Sequence, residues 1–338
     1  MLVNQKVEFF MRGLDHFSFL RQTISPSFFQ SKQFSRQLTT QQPPLMLPSK
    51  TGIQIKHMTK EELGMVMGWA KKEGWNPVKH AVEAYYATDP GGYRLLTVNG
   101  EPVASLFGVR HSQRFAFLGG YIVCKERRGE GLGMHLWNET MSAIADCSTI
   151  GLNGVMDQVE NYKKSGFSPA ALNTQYKGQV VRQTEADNTA SGIRISFTQN
   201  YTLSQVIDYD ARVFYGIPRE AFLSRWVRMP ETSTLVAMDG GAVKGYGVIT
   251  AAQEDYKIAP LFADNEVIAE EIFIRLSRCV PDKSIVHLDT TRSNPSGAKL
   301  AKRFGLMPVF DTLRMYKGES INEKLEESVY SQASLEIG

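Results

Sequence analysis

The chain has 338 residues, of which 42% are hydrophobic, 22% charged and 10% aromatic, the balance of an ordinary globular protein. A chain of this length is expected to hold two domains. It contains no apolar run near the roughly 20 residues that cross a bilayer, which argues against an integral membrane protein and a membrane partner. Its three cysteines lie far apart without a CxxC motif, so neither a disulfide framework nor a structural zinc site is expected.

Positive charge is concentrated at the N-terminal end of the sequence. Residues 1–50 contain six lysines and arginines against two acidic residues, whereas residues 51–338 are close to neutral. Nucleic-acid binding needs a concentrated basic face, so no nucleic-acid partner is expected. The leader at 1–50 has two open interpretations, a mitochondrial transit peptide and a disordered tail without targeting function. The expected location is therefore cytoplasmic or mitochondrial.

Regular elements are predicted from residue 53 onward. A short alternating strand at 53–55 precedes a helix that Thr59 and Glu62 open as a capping box. The turn Asn99-Gly100 is typical of a tight hairpin. In chain order the predicted elements are a strand at 53–55, helices at 60–72 and 78–87, strands at 93–98, 103–109 and 114–123, a helix at 131–145, a strand at 149–155, a helix ending at 164 and a strand reaching 176.

This order predicts a mixed sheet with helices on its faces, and the pattern then recurs. Residues 162–169 are similar to residues 301–308, at an offset of about 140. The recurrence predicts two copies of one α/β fold at 51–181 and 190–318, joined by a polar linker at 182–191. Residues 319–338 are expected to form a C-terminal tail.

One segment carries chemical information: it leads from the buried strand at 114–123 through a basic, glycine-rich turn into a helix. Unpaired N–H groups in the first turn of a helix, with the positive end of the helix dipole behind them, bind anions. The spacing Arg128-x-x-Gly131-x-Gly133 matches neither the dinucleotide-binding nor the P-loop pattern. The turn is therefore predicted to bind a phosphate or pyrophosphate.

Residues 123–133 resemble the pyrophosphate-binding motif of the GNAT (Gcn5-related N-acetyltransferase) superfamily, and residues 162–167 resemble its Tyr-x-x-x-Gly-Phe helix end. The resemblance implies an α/β (α+β) chain of two tandem GNAT folds, each a mixed, mostly antiparallel sheet flanked by helices. A narrower similarity, to tandem GNAT proteins with a YitH-type C-terminal domain, rests on four segments: 74–77, 151–155, 256–264 and 314–316.

The same resemblance implies acetyl-CoA as co-substrate and no metal. Backbone groups of Ile122 and Val123 would bind the pantetheine arm. Tyr162 would protonate the leaving thiolate, unless it is only an aromatic residue that packs on the sheet. The amides that would hold the pyrophosphate belong to Arg128, Gly129, Glu130, Gly131, Leu132, Gly133 and Met134.

Acceptor binding is predicted from an aromatic stretch, because an aromatic-lined cleft suits a small amine. Trp75 and Tyr93 are the candidates for this cleft, whereas Trp69 and Tyr85 are expected in the core. The oligomeric state stays open.

No general base can be assigned from the sequence. Many GNAT enzymes carry a carboxylate on the strand before the turn, yet residues 117–121 contain no acid. Glu126 and Glu130 are expected to be surface charges, and His80 and His111 are histidines that could reach a pocket. A water chain, a residue from elsewhere or an amine of lowered pKa would otherwise serve.

The second copy lacks the glycine-rich turn. Asp264 and Glu266 occupy the start of its helix, where a pyrophosphate would need to sit. This copy is expected not to bind CoA, and either shapes the acceptor pocket or is a purely structural partner. The predicted function is N-acetyltransfer from acetyl-CoA to a small-molecule amine or amino acid. The alternatives are a non-catalytic acyl-CoA-binding regulatory protein and, third, a protein lysine acetyltransferase.

Overall fold

A computed structural model describes residues 52–180, 196–198, 200–319 and 327–338. These residues belong to one compact unit. The leader at 1–50 and the linker at 182–191 lie outside the described residues, so both stay predictions. Within the described ranges, no helix is long and apolar enough to cross a membrane.

The described helices and strands follow in chain order. The helices are Lys60–Lys72 (α1), Val82–Thr88 (α2), Leu132–Ala143 (α3), Val159–Lys164 (α4), Leu203–Val213 (α5), Glu220–Trp226 (α6), Glu266–Ser277 (α7) and Pro295–Arg303 (α8). The strands are Ile53–His57 (β1), Tyr93–Val98 (β2), Glu101–Arg110 (β3), Phe115–Val123 (β4), Thr149–Val155 (β5), Ser168–Gln179 (β6), Ser196–Thr198 (β7), Thr232–Asp239 (β8), Ala242–Ala251 (β9), Tyr256–Ala263 (β10), Ile285–Thr291 (β11), Met307–Gly318 (β12) and Val329–Ser331 (β13).

These strands form one sheet in the order β1-β2-β3-β4-β5-β12-β6-β11-β10-β9-β8-β7, with β13 beside β10. The pairs β4/β5 and β10/β11 are parallel, and the other neighbours are antiparallel. Helices cover the sheet. The predicted fold class, an α/β chain with a mixed, mostly antiparallel sheet, is therefore confirmed.

The two sequence copies exchange their last strands. Strand β12 of the second copy pairs with β5 of the first, and β6 of the first copy pairs with β11 of the second. Strands β6 and β12 also pair with each other at the centre of the sheet. Each copy is thus completed by a strand of the other. The domain boundaries at 51–181 and 190–318 stay a prediction about chain order and do not delimit separable sheets.

Local sequence signals explain several element boundaries. The Thr59 hydroxyl accepts from the Glu62 N–H at 3.3 Å, and the Glu62 carboxylate accepts from the Thr59 N–H at 3.0 Å, as in a capping box. Asn99 and Gly100 have φ angles of 53° and 83°, the left-handed values of a tight hairpin turn. Helix α2 starts later than predicted, because Val78 forms a β-bridge with Ala252 instead.

Residues 329–338 fold back into the molecule rather than forming the expected tail. Strand β13 begins this segment, and Ala333 and Ile337 are buried in the core that also receives α2, α5 and α6. Its apolar side chains pack in the core, and most of its polar side chains are buried as well, with Ser331 and Gln332 bonded to neighbouring strands. We call residues 329–338 the return segment.

An aromatic contact joins helices of the two copies. Trp226 on α6 is fully buried, and its ring stacks on that of Tyr85 on α2 with centroids 5.9 Å apart. Its indole Nε1–H donates to the Ala259 carbonyl at 2.7 Å.

We expect Trp226→Ala to lower the free energy of unfolding by about 3–5 kcal/mol, because the substitution leaves a large cavity and an unpaired carbonyl. Urea unfolding followed by circular dichroism measures this loss. Trp75→Ala, at a half-buried tryptophan, is the control and should cost less. Equal losses in the two variants would show that the buried Trp226 contact contributes no more stability than a half-buried tryptophan.

Candidate active site

Strands β4 and β5 part from each other at the centre of the first copy. Their parallel pairing runs from Phe115 with Thr149 to Leu118 with Leu152 and then stops, although both strands continue. The diverging ends leave an opening between them, which we call the strand gap. Backbone groups on its edges lack a neighbouring strand, so an extended ligand can bond to them.

The backbone of Val123 faces the strand gap. Val123 pairs with Ala104 in the antiparallel β3/β4 ladder, and the next N–H, that of Cys124, donates to the Val103 carbonyl at 2.9 Å. This pattern makes Val123 part of a non-hydrogen-bonded pair, so its N–H and carbonyl point away from β3. The backbone N–H and carbonyl of Ile122 point the opposite way, towards β3. Val123, rather than Ile122, can therefore offer backbone groups to a ligand in the strand gap.

The glycine-rich turn leaves six backbone amides without partners. Gly131, at φ 78°, stands just before α3, and the first N–H bonded back to the turn is that of His135, at 3.1 Å from the Gly131 carbonyl. In the described part of the chain, the N–H groups of residues 129–134 have no hydrogen-bond acceptor. They lie at the positive end of α3, which is the arrangement that binds phosphate groups. We call these six amides the amide cradle.

The arginines of the turn bond to protein groups. The Arg128 Nε donates to the Val123 carbonyl at 2.9 Å, and its Nη2 donates to Glu73 at 2.8 Å. Arg127 binds both oxygens of Glu130, at 2.7 and 2.8 Å, and this hydrogen bonding lowers the pKa of Glu130. Glu130 is therefore an ionised, paired surface group, as expected.

Gly133 serves packing. An ideal Cβ at this position would lie 2.6 Å from the Tyr121 hydroxyl and 3.0 Å from Val123 Cγ2. A side chain here would push α3 away from β4 and so move the amide cradle relative to the strand gap.

Tyr162 lies beside the strand gap on the side of α3. Its ring covers Gly154 of β5, where an ideal Cβ would come within 2.8 Å, and it contacts Trp137 with centroids 5.7 Å apart. Burial, with a smaller contribution from Tyr121, raises the pKa of Tyr162 to about 12. The phenol therefore carries its proton at neutral pH and can donate it.

The acceptor residues predicted from sequence are not brought together. Tyr93 is fully buried, its hydroxyl donates to the Tyr85 carbonyl at 2.6 Å, and its ring meets Phe107 edge-on. The prediction that Tyr93 lines the acceptor pocket is therefore wrong, because this hydroxyl is satisfied inside the core. Trp75 is half-buried, and its role stays a prediction.

On the other side of the sheet, the return segment crosses the strand gap. Asn153 of β5 donates to the Leu335 carbonyl at 3.0 Å. Gly119 of β4 faces the Glu336 backbone so closely that any side chain at 119 would collide with it. The Glu336 carboxylate accepts from the hydroxyls of Tyr85 and Ser334, both at 2.9 Å. The sequence carried no signal for this contact.

His111 holds the return segment in place and does not line a pocket. Its Nε2 lies 2.6 Å from the Ile337 carbonyl, and its ring packs edge-on against Phe214. Burial, followed by the nearby Arg219 guanidinium, lowers the pKa of His111 to about 3. The imidazole is therefore neutral, and its Nε2–H donates to the Ile337 carbonyl.

Among the described residues of the second copy there is no equivalent opening. Strands β10 and β11 pair in parallel up to Ile258 and Leu288, and beyond that point β13 pairs with β10. The Ser331 hydroxyl and the Gln332 N–H then bond to the backbone of Asp289. The start of α7 is capped by the Asn265 side chain, which accepts from the Ile268 N–H at 3.0 Å. The chain itself thus occupies both the gap and the helix end.

Comparison with known proteins agrees with this geometry. A family model described as an acetyltransferase (GNAT) domain matches residues 206–331. The holothin acyltransferase of Pseudoalteromonas sp. (strain SANK 73390) is 30% identical over 286 residues, which cover 84% of this chain and 94% of that relative. The chain therefore belongs to the GNAT acetyltransferase family and is an acyltransferase.

Solved structures share the fold. A putative acetyltransferase from Pyrococcus horikoshii superposes with a TM-score of 0.68 at 20% identity, covering 85% of this chain and 96% of that one. A tandem GNAT protein from the clavulanic acid biosynthesis pathway superposes with a TM-score of 0.54 at 13% identity, covering 79% of this chain and 99% of that one. Among the residues described, no group of three or more His, Cys, Asp or Glu side chains could hold a metal ion.

We expect Gly131→Trp to weaken CoA binding at least 10-fold, about 1.4 kcal/mol, because a bulky residue at this left-handed position displaces the amide cradle. Isothermal titration calorimetry with CoA measures the change. Gly305→Trp is the matched control, since Gly305 has a similar φ of 76° with open space around it and lies in the second copy. Equal CoA affinity in both variants would contradict the cradle.

Acid should destabilise the protein through His111. The His111 imidazole takes up a proton near pH 6.5 in the unfolded chain but only near pH 3 in the folded chain. The stability that the neutral, buried imidazole contributes is therefore complete above pH 6.5 and is lost as the pH falls towards 3. Between pH 7 and pH 5, wild type should lose about 1–2 kcal/mol more than His111→Gln in urea unfolding. Parallel losses in the two proteins would mean that His111 titrates normally.

Proposed function

We propose that this acyltransferase uses acetyl-CoA and acetylates the amine of a small molecule or amino acid. The observation that carries the proposal is the amide cradle, whose six unpartnered N–H groups stand next to the strand gap. A diphosphate in the cradle would direct an extended arm along the edge of β4, where Val123 presents its N–H. The relative that acylates holothin supports a small-molecule acceptor. For the second copy we propose a YitH-type domain that does not bind CoA.

The residues around the strand gap support direct transfer between donor and acceptor. Acetyl-CoA supplies a thioester carbonyl, which an unprotonated amine attacks while a thiolate leaves. Tyr162, protonated at neutral pH and without a hydrogen-bond partner for its hydroxyl in the described residues, would give its proton to that thiolate.

One observation supports the alternative of a non-catalytic acyl-CoA-binding protein: residues 117–121 of β4 contain no acid. A panel of primary amines and amino acids incubated with acetyl-CoA separates the two functions, with release of free thiol as the readout. Amine-dependent release supports the transferase. CoA binding in calorimetry without release for any amine would favour a regulatory acyl-CoA-binding protein.

We expect Tyr162→Phe to lower kcat about 100-fold with CoA affinity unchanged. This loss is at the lower end of what a positioned proton donor contributes, because a thiolate is a good leaving group. Steady-state kinetics with the best amine of the panel measures it. Tyr256→Phe, at a half-buried tyrosine of β10, is the matched control and should keep wild-type kcat. An unchanged kcat in Tyr162→Phe would assign Tyr162 to packing alone.

A further inference from the structure

The return segment brings a glutamate to the strand that lacks an acid. We propose that Glu336 binds the acceptor amine and is the general base of the transfer, an assignment that rests on the proposed function. Glu336 lies more than 200 residues from β4 in sequence, and its backbone packs on Gly119, the first residue of β4 beyond the last β4/β5 pair. Gly119 is required there, because a side chain would expel the segment.

Glu336 and Tyr162 lie on opposite faces of the sheet at the strand gap. Consecutive residues of a strand point to opposite faces. On β5, Asn153 bonds to Leu335 next to Glu336, whereas Gly154 contacts the ring of Tyr162. The opening between β4 and β5 thus has Tyr162 on one face and Glu336 on the other.

The two oxygens of Glu336 have different surroundings. Oε2 accepts from the Tyr85 and Ser334 hydroxyls, which fix the orientation of the carboxylate. The Ser334 hydroxyl also accepts from the N–H groups of Glu336 and Ile337, so the turn itself is rigid. Oε1 has no hydrogen-bond partner among the described residues, and the side chain is half-buried, so a small ligand can reach this oxygen.

Charged and titratable groups around Glu336 come from several elements. Tyr85 faces it from α2, and burial, followed by the negative charge of Glu336, raises the pKa of that phenol. Lys257 approaches from β10 but is buried and paired with Asp289 of β11 at 2.9 Å. His111, after β3, is neutral. Lys257 is therefore already paired, and Arg219 is bonded to Asp210 and to the Gly338 carbonyl, which leaves the Glu336 carboxylate available for an ammonium ligand.

The reaction balances with these two residues. A primary ammonium binds to Glu336, and one N–H proton passes to the carboxylate. The amine nitrogen then forms a C–N bond to the acyl carbon, the C–S bond breaks, and the sulfur takes the Tyr162 proton. The second amine proton lost on amide formation goes to solvent, and the Glu336 carboxyl also gives up its proton to solvent. The Tyr162 phenolate takes a proton from solvent, so that amide and free CoA leave with both side chains restored. The acceptor class is thus a small primary amine that is cationic in solution.

Glu336→Gln tests the assignment, because glutamine keeps the size and can still accept from Tyr85 and Ser334. We expect kcat to fall at least 100-fold, the acid limb of the kcat–pH profile to disappear, and the Kd for CoA to stay within 2-fold of wild type. Glu83→Gln, at an exposed glutamate of α2, is the matched control and should behave as wild type. Thermal melts with CoA show whether each variant is folded.

The outcomes separate this assignment from the proposed function. Wild type that binds CoA but releases no thiol with any amine contradicts the proposed function and the assignment with it. Active wild type with a Glu336→Gln variant of unchanged kcat and pH profile overturns the assignment alone. If Glu336→Gln does not fold, Glu336→Asp is the variant that tests the assignment. Its carboxylate is one methylene shorter, so we expect kcat to fall at least 10-fold and the acid limb of the kcat–pH profile to remain. Full activity of Glu336→Asp would overturn the assignment.

Discussion

The parallel pairing of β4 and β5 ends at Leu118 and Leu152, and the chemistry depends on that ending. Had the strands stayed paired to Val123 and Val155, their backbone groups would bond to each other and none would face a ligand. The amide cradle depends on the same divergence, because the turn after β4 starts from the diverging end. Gly119, Gly133 and Gly154 then let the return segment, α3 and Tyr162 approach the diverging strands closely.

In the second copy, the chain itself fills the position that corresponds to the strand gap. There β13 pairs with β10 where a ligand would otherwise lie, and Asn265 satisfies the first turn of α7. The segment that closes the second copy is continuous with the one that reaches the strand gap of the first. One stretch of ten residues thus closes one site and, if Glu336 acts as proposed, completes the other. The exchange of β6 and β12 keeps the two copies in fixed register for this purpose.

Local elements were predictable from the sequence, whereas long-range contacts were not. The capping box at Thr59, the turn at Asn99 and the glycine-rich turn before α3 depend on neighbours within a few residues, so their patterns are visible in the chain. An aromatic residue on a strand, such as Tyr93, suits either the core or the wall of a cleft. Only its hydrogen bond to the Tyr85 carbonyl shows that it belongs to the core.

The strand exchange and Glu336 could not be predicted, for a physical reason. Asn153 and Leu335 are 182 residues apart, and Tyr85 and Glu336 are 251 apart. No local periodicity or spacing reports contacts of that separation. The sequence shows that β4 has no acid at 117–121, but it does not show which residue takes the place of that acid.

A crystal structure of the protein with excess CoA tests most directly whether the amide cradle and the strand gap bind this ligand. We expect one CoA per chain, with its diphosphate against the amides of residues 129–134 and its arm in the strand gap, and β13 still in place beside β10. Density for CoA between β10 and β11, or a first copy whose cradle stays empty at saturating CoA, would contradict the account.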